Sequence, residues 1–251
     1  RAGNLFIETL TGHSEQVAYY DVANQFLLLT ATFLGVIFST LLPALTAMHL
    51  RDEQTRIQSW NRAVMTYCGV AGFLAFHVLA MLGEPVIVRW LGASFAPVYP
   101  AALILSAGIP FILLAYAGAN IFLLQKQPLA YAGCVLAGAI VMTLGSLFMV
   151  PRAGAIGAAW ASVAGYAVMA VSMLALRREH FGGMLGGLAR AVLPGAICVP
   201  LYFWRGGLTR DIALCLAGIV AYMIALLLLR IVRVSDMRAV LATMRADSKS
   251  A

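Results

Sequence analysis

Residues 22–48, 63–83, 90–125, 127–151, 153–176, 191–204 and 212–229 contain no Asp, Glu, Lys or Arg. A helix needs about 20 apolar residues to cross ~30 Å of hydrocarbon. Most of these runs reach that length; the sixth does so only with flanking residues such as Gly187 to Ala189. Backbone amides in lipid must pair within their own segment, so continuous apolar runs predict helices. The pattern predicts an all-α polytopic membrane protein with about seven transmembrane helices: 20–48, 62–88, 98–124, 129–150, 154–176 and two more within 188–232. The turn VPRAG between the fourth and fifth spans is short enough to make them antiparallel neighbours. Gly157, Ala161 and Gly165 then form a small-residue stripe on the fifth span, which admits another helix at close range.

The connections are read the same way. Residues 1–20 are expected to be an outer loop and the end of a preceding helix, because the chain opens on Arg1 and reads as a piece of a longer protein. The charge-dense segment RDEQTRIQSWNR, 51–62, is expected to be a wet connection and FGGMLGGLAR, 181–190, a glycine-rich loop. Residues 233–251 read as a polar tail.

Composition agrees with this class. Hydrophobic residues make up 62% of the chain and charged ones 11%, against roughly 25% charged in soluble domains. A net charge of +7 would suggest nucleic acid in a soluble protein. Here the cations lie in connections between spans, so their role is topological and no nucleic acid partner is expected. One side would hold Arg51, Arg56, Arg62, Lys126, Arg177, Arg178, Arg190, Arg230, Arg233, Arg238, Arg245 and Lys249, twelve in all, and the other Arg1, Arg89, Arg152, Arg205 and Arg210, which is five. The positive-inside rule makes the richer side cytoplasmic and leaves the C-terminus inside.

Chemistry-bearing motifs are sparse. Cys68, Cys134, Cys198 and Cys215 fall inside spans without CxxC spacing and read as small buried apolar residues. Paired carboxylates, metal-ligand clusters, Ser/His/Asp arrangements and glycine-rich phosphate loops are missing from the sequence. An enzyme, a metal site or a cofactor is therefore not expected.

Five phrases in order carry a resemblance: VAYYDVANQF, TLLPALTAMH, EPVIVRWLGASFAPVYPAALIL, NIFLLQKQPLAY and VPRAGAIGAAWASVAGY. Together they resemble the C-terminal half of bacterial polysaccharide flippases of the O-antigen and exopolysaccharide type. That family belongs to the superfamily of multidrug, oligosaccharidyl-lipid and polysaccharide exporters. The resemblance covers residues 15 to about 178. Val17-Ala18 and Gln125-Lys126-Gln127 depart from the family's glycine-tyrosine and glycine-lysine patterns.

The resemblance implies a two-lobed helical transporter in the bacterial inner membrane. This chain would supply the second lobe, residues 20–178, and two appended helices, 188–232. The implied partners are a polyprenyl-diphosphate-linked oligosaccharide, membrane lipid, the N-terminal lobe of the same protein and other membrane proteins of polysaccharide assembly. Diphosphate and sugars cannot cross hydrocarbon uncovered, so a polar cavity rocked between the two faces is expected. A drug or cation antiporter of the same superfamily is the alternative. A membrane glycan polymerase or ligase fits less well, since the outer loops are short.

Candidate residues for a substrate path are Asn24, Gln25, Tyr116 and Asn120 within the spans, with Arg62, Arg89 and Lys126 at their ends. The polar residues could equally bond neighbouring helices, and the cations could be interfacial anchors that set orientation. His77 and Glu84 are the candidates for ion coupling; a hydrogen-bonded core histidine and a wet interfacial carboxylate are the competing readings.

Overall fold

A computed structural model of the chain describes residues 7, 14–204 and 206–231, and most of these are helical with no strand among them. In chain order the elements are α1 (Ser14–Leu50), α2 (Gln54–Leu91), a 3-10 turn (Ala93–Phe95), α3 (Val98–Ala107) and α4 (Ile109–Leu124). Continuous helical hydrogen bonding then covers Pro128–Leu176, followed by α7 (Arg178–Val192), a 3-10 segment (Leu193–Cys198), α8 (Val199–Tyr202) and α9 (Leu208–Leu228).

The 49 residues of Pro128–Leu176 would make a rod of about 74 Å if straight, more than twice the hydrocarbon thickness. Gly154 prevents this. Its backbone, at φ 51 and ψ −127, lies outside any helical region and in one that residues with a Cβ rarely enter. Across this point the chain folds back on itself. A Cβ on Gly138 would meet the Gly165 carbonyl oxygen at 2.7 Å, one on Gly145 would meet Ala161 at 3.1 Å, and one on Gly157 would meet the Met149 carbonyl oxygen at 2.3 Å. These pairs sum to nearly the same residue number, the signature of an antiparallel hairpin. We label its arms α5 (residues 128–153) and α6 (residues 155–176). The stripe Gly157, Ala161, Gly165 faces α5, as its spacing suggested.

Five helices among the described residues are long and apolar enough to span a bilayer, and the pair α3–α4 makes a sixth. With the hairpin divided at Gly154, seven crossings result, and the chain is a multi-pass membrane protein.

The third span is not continuous. It breaks at Gly108, where α3 and α4 meet at 40°. Pro110 has no N–H for the Ser106 carbonyl and its ring crowds that oxygen. Gly108 instead donates back to Leu105 at 2.9 Å, a tighter turn.

Several expected connections are helical. Residues 14–20, expected as outer loop, open α1, and Tyr20 is already buried there, donating or accepting with Ser162 at 2.8 Å. Residues 54–62 are helical and open α2, most of them exposed, with the buried Ile57 and half-buried Trp60 packed on the core and no Gly or Pro interrupting them. FGGMLGGLAR lies within α7. Gly187 serves contact: a Cβ there would sit 2.7 Å from the Arg62 carbonyl oxygen and 2.9 Å from Thr66 Oγ1. Close backbone approach between α2 and α7 outweighs the ~1 kcal/mol that each helical glycine costs.

The main core gathers Leu34, Leu105, Leu113 and Phe122 from α1, α3 and α4, with Met173 from α6 and Phe181, Met184 and Leu188 from α7. Residue 188, where a boundary was expected, falls inside α7, whose Phe181, Met184 and Leu188 already pack in the main core. A second, smaller cluster of Cys198, Tyr222 and Leu226, walled by Phe73 and Tyr202, holds α9. The four cysteines are buried and free.

Helix ends fall into two sets. At one end Gln125 bonds His180 at 3.0 Å, Arg177 donates to Gln127, and His49 meets Gln54 at 3.4 Å. At the other, Ala155 donates its N–H to Gln16 Oε1 at 3.1 Å and Tyr19 packs edge-on against Phe95. Among the described cations, Arg51, Arg56, Arg62, Lys126, Arg177, Arg178, Arg190 and Arg230 lie toward the first end. Arg89, Arg152 and Arg210 lie toward the second, a ratio of eight to three. Arg1, Arg205, the cations after residue 231 and the polar tail lie outside the described residues.

Candidate functional site

α1 sorts its residues between two faces. Tyr20, Ala23, Leu27, Ala31, Leu34, Phe38, Leu41, Leu45 and Met48 recur every three or four positions and are buried against α3, α4 and the hairpin. The opposite face, also at helical spacing, presents Asp21, Gln25, Leu28, Thr32, Val36, Ser39, Pro43 and Thr46, all exposed. Polar groups alternate there with apolar ones over the full length of the helix. Ser39 and Thr46 donate back to the Val36 and Leu42 carbonyls at 2.9 and 2.8 Å, a local bond that lowers their cost in lipid. Among the described residues Gln25 and Thr32 have no such partner. Asn24 sits one position round the helix and is half-buried.

Tyr116 and Asn120, one turn apart on α4, do face the same way, and they face α1. The Tyr116 ring lies against Gly35, whose Cβ would meet it at 3.2 Å, and tilts against Phe38 with centroids 6.1 Å apart. Asn120 is buried and donates through Nδ2 to the Phe38 carbonyl at 3.1 Å. Pro43 cannot donate to the adjacent Ser39 carbonyl, so Asn120 secures α1 where its own ladder is weakened.

The cations are dispersed. Arg62 is exposed on α2 beside Gly183 of α7. Arg89 is exposed in the last turn of α2, at the opposite end. Lys126 is exposed directly after α4 in the left-handed region at φ 54. There Gln127 donates to the Phe122 carbonyl at 2.9 Å and closes a Schellman cap. The glycine of the related phrases would meet that backbone requirement without strain.

His77 is fully buried at the junction of α2 with α8 and α9. Its Nε2 lies 3.3 Å from the Cys215 carbonyl oxygen and its Nδ1 2.9 Å from the Tyr202 hydroxyl. A carbonyl only accepts, so Nε2 carries the hydrogen and Nδ1 can accept from Tyr202 in the neutral ring. Gly218 makes room for the imidazole, since a Cβ there would stand 2.5 Å from Nε2. Glu84, two turns further along α2, is exposed, so the two ion-coupling candidates do not meet. Among the described residues no three His, Cys, Asp or Glu side chains are grouped to hold a metal.

Sequence reasoning missed two features. The first is the full stripe on α1, with Asp21, Thr32, Ser39 and Thr46 beside Gln25; sorting the span's polar residues by helix face would have found it. The second is a recess of about 140 Å³ at the cation-rich end, lined by His49, Gln54, Gln58, Asn61, Gln125 and His180. Its members come from four helix ends that only folding assembles.

No known sequence family matches the chain, and no curated protein matches it by sequence. Among solved structures it is similar to the lipid II flippase MurJ in an inward closed conformation, with a TM-score of 0.67 at 15% identity. The match covers 84% of this chain and 46% of that one. The likeness establishes the fold, and this chain spans about half the length of the protein it matches.

Proposed function

We propose that this chain is the second half of a membrane transporter that flips a polyprenyl-diphosphate-linked oligosaccharide across the cytoplasmic membrane by alternating access, for surface polysaccharide assembly. The observation that carries the reading is the exposed stripe of α1. Polar side chains uncovered at membrane depth mark a bundle interior or a water-filled passage rather than a lipid-facing surface. A first lobe laid against this face would enclose Gln25, Thr32 and Ser39 in a cavity suited to sugar hydroxyls, while the lipid tail stays in the bilayer. The fold it shares with a lipid II flippase supports the substrate class, and its coverage of 46% of that chain fits half of such a machine.

The eight-to-three division of cations supports, by the positive-inside rule, an orientation with the N-terminus of α1 outside and the end of α9 inside. Arg62 and Lys126 would then meet the diphosphate on the cytoplasmic side and Arg89 on the outer side, with guanidinium and ammonium groups as its partners. Deleting the protein is expected to abolish surface glycan and to accumulate its lipid-linked precursor in the cytoplasmic leaflet. Normal surface glycan would refute this reading. Asp21 on the same stripe favours one second reading, a cation antiporter, which altered drug tolerance with intact surface glycan would support.

A further inference from the structure

We infer that the seam between α7 and α9 at the cation-rich end is a binding site for an anionic glycerophospholipid. Arg190, Leu193, Pro194, Leu229, Arg230 and Ile231 line a single recess of about 680 Å³ there. Both arginines border the same space. The ion pairs among the described residues are Arg56 with Glu53, and Arg177 and His180 with Glu179, so neither Arg190 nor Arg230 has a carboxylate partner among them. Two like charges on one recess repel each other unless an anion lies between them, and guanidinium is suited to phosphate oxygens.

The setting and the walls identify which phosphate. Arg190 directly precedes the uncharged run 191–204 and Arg230 directly follows the run 212–229, so the recess borders the apolar length of both elements. Leu193 and Leu229 are 71% and 62% exposed. They offer apolar surface to acyl chains beside the charged recess, which a free phosphate ion would not use. Pro194 contributes to the shape by ending α7 in a 3-10 segment. Beside it the Tyr222 hydroxyl donates to the Ala191 carbonyl at 2.6 Å and ties the two elements together. A lipid seated here bridges α7 and α9. The site is remote from the α1 stripe, so it stands whether or not the transport reading does.

The test is native mass spectrometry of the full protein in detergent, titrated separately with phosphatidylglycerol, phosphatidylethanolamine, farnesyl diphosphate and inorganic phosphate. Phosphatidylglycerol is expected to bind most tightly. Arg190→Gln and Arg230→Gln should each weaken it about fivefold, the worth of one interfacial arginine. Arg56→Gln, which removes a cation paired with Glu53, should leave it unchanged. Equal binding of phosphatidylethanolamine, tighter binding of farnesyl diphosphate, or inorganic phosphate competing at similar concentration would each overturn the proposal. Unaltered phosphatidylglycerol affinity in both glutamine variants would do the same. Should those variants fail to fold, the unmodified protein decides: affinity that does not fall between about 50 and about 500 mM salt excludes an arginine–phosphate site.

Discussion

Replacing Gly157 with alanine tests the fold-back at Gly154 and, through it, the number of crossings. A methyl at Gly157 would stand 2.3 Å from the Met149 carbonyl oxygen and 2.5 Å from its carbon. Carbon–oxygen contacts settle at about 3.3 Å or more, so α5 and α6 must part by about 1 Å. Neither side can yield by a rotamer change, because the obstacle is backbone. The separation also loosens the nearby approach of Gly145 to Ala161 and, further along, that of Gly138 to Gly165. Overpacking of this kind costs about 1–3 kcal/mol.

Gly133 supplies the control. It is helical and exposed, and a Cβ there meets nothing within 4 Å. Both substitutions gain the same ~1 kcal/mol of helix propensity, so their difference isolates the contact. Gly157→Ala should be less stable than Gly133→Ala by about 2 kcal/mol, roughly 30-fold in the ratio of folded to unfolded protein. The assay is reversible denaturant unfolding in mixed micelles. Equal midpoints for the two variants would refute the hairpin and the seven-crossing topology with it.

Three further outcomes are expected. Lys126→Gly should raise stability by about 1 kcal/mol in the same unfolding assay, since glycine relieves the left-handed conformation of the α4 cap; a loss would show that the lysine side chain makes a contact that outweighs the strain. His77→Leu removes the ring that serves Tyr202 and Cys215 and should cost about 1–3 kcal/mol, with hydrogen exchange accelerated selectively in 199–222, whereas His77→Gln should keep transport. Abolished transport in a folded His77→Gln protein would make the residue a coupling site instead of a structural tie. Gln25→Leu combined with Thr32→Val should leave unfolding midpoints unchanged and still accumulate lipid-linked precursor in cells; full transport in that variant would remove α1 from the substrate path.

The sequence determined which segments are apolar enough to cross a bilayer. Lipid imposes its demand residue by residue: each crossing must exclude charge over about 20 positions. Hence the seven uncharged runs, the alternation of cations between them and the turn at VPRAG could all be located without coordinates. What lies beside each helix was decided only by tertiary structure. In water, apolar residues point inward, but in a bilayer a lipid-facing leucine and a core leucine are equally apolar. Nothing in the local pattern therefore distinguished Leu227, exposed on α9, from Leu226, buried on the same helix. The phrase FGGMLGGLAR reads as a loop for want of its neighbour, since the close approach of Gly187 to α2 exists only in the folded chain. Likewise the partners of His77 come from α8 and α9, far along the chain, and only folding brings a hydroxyl and a carbonyl to its two nitrogens.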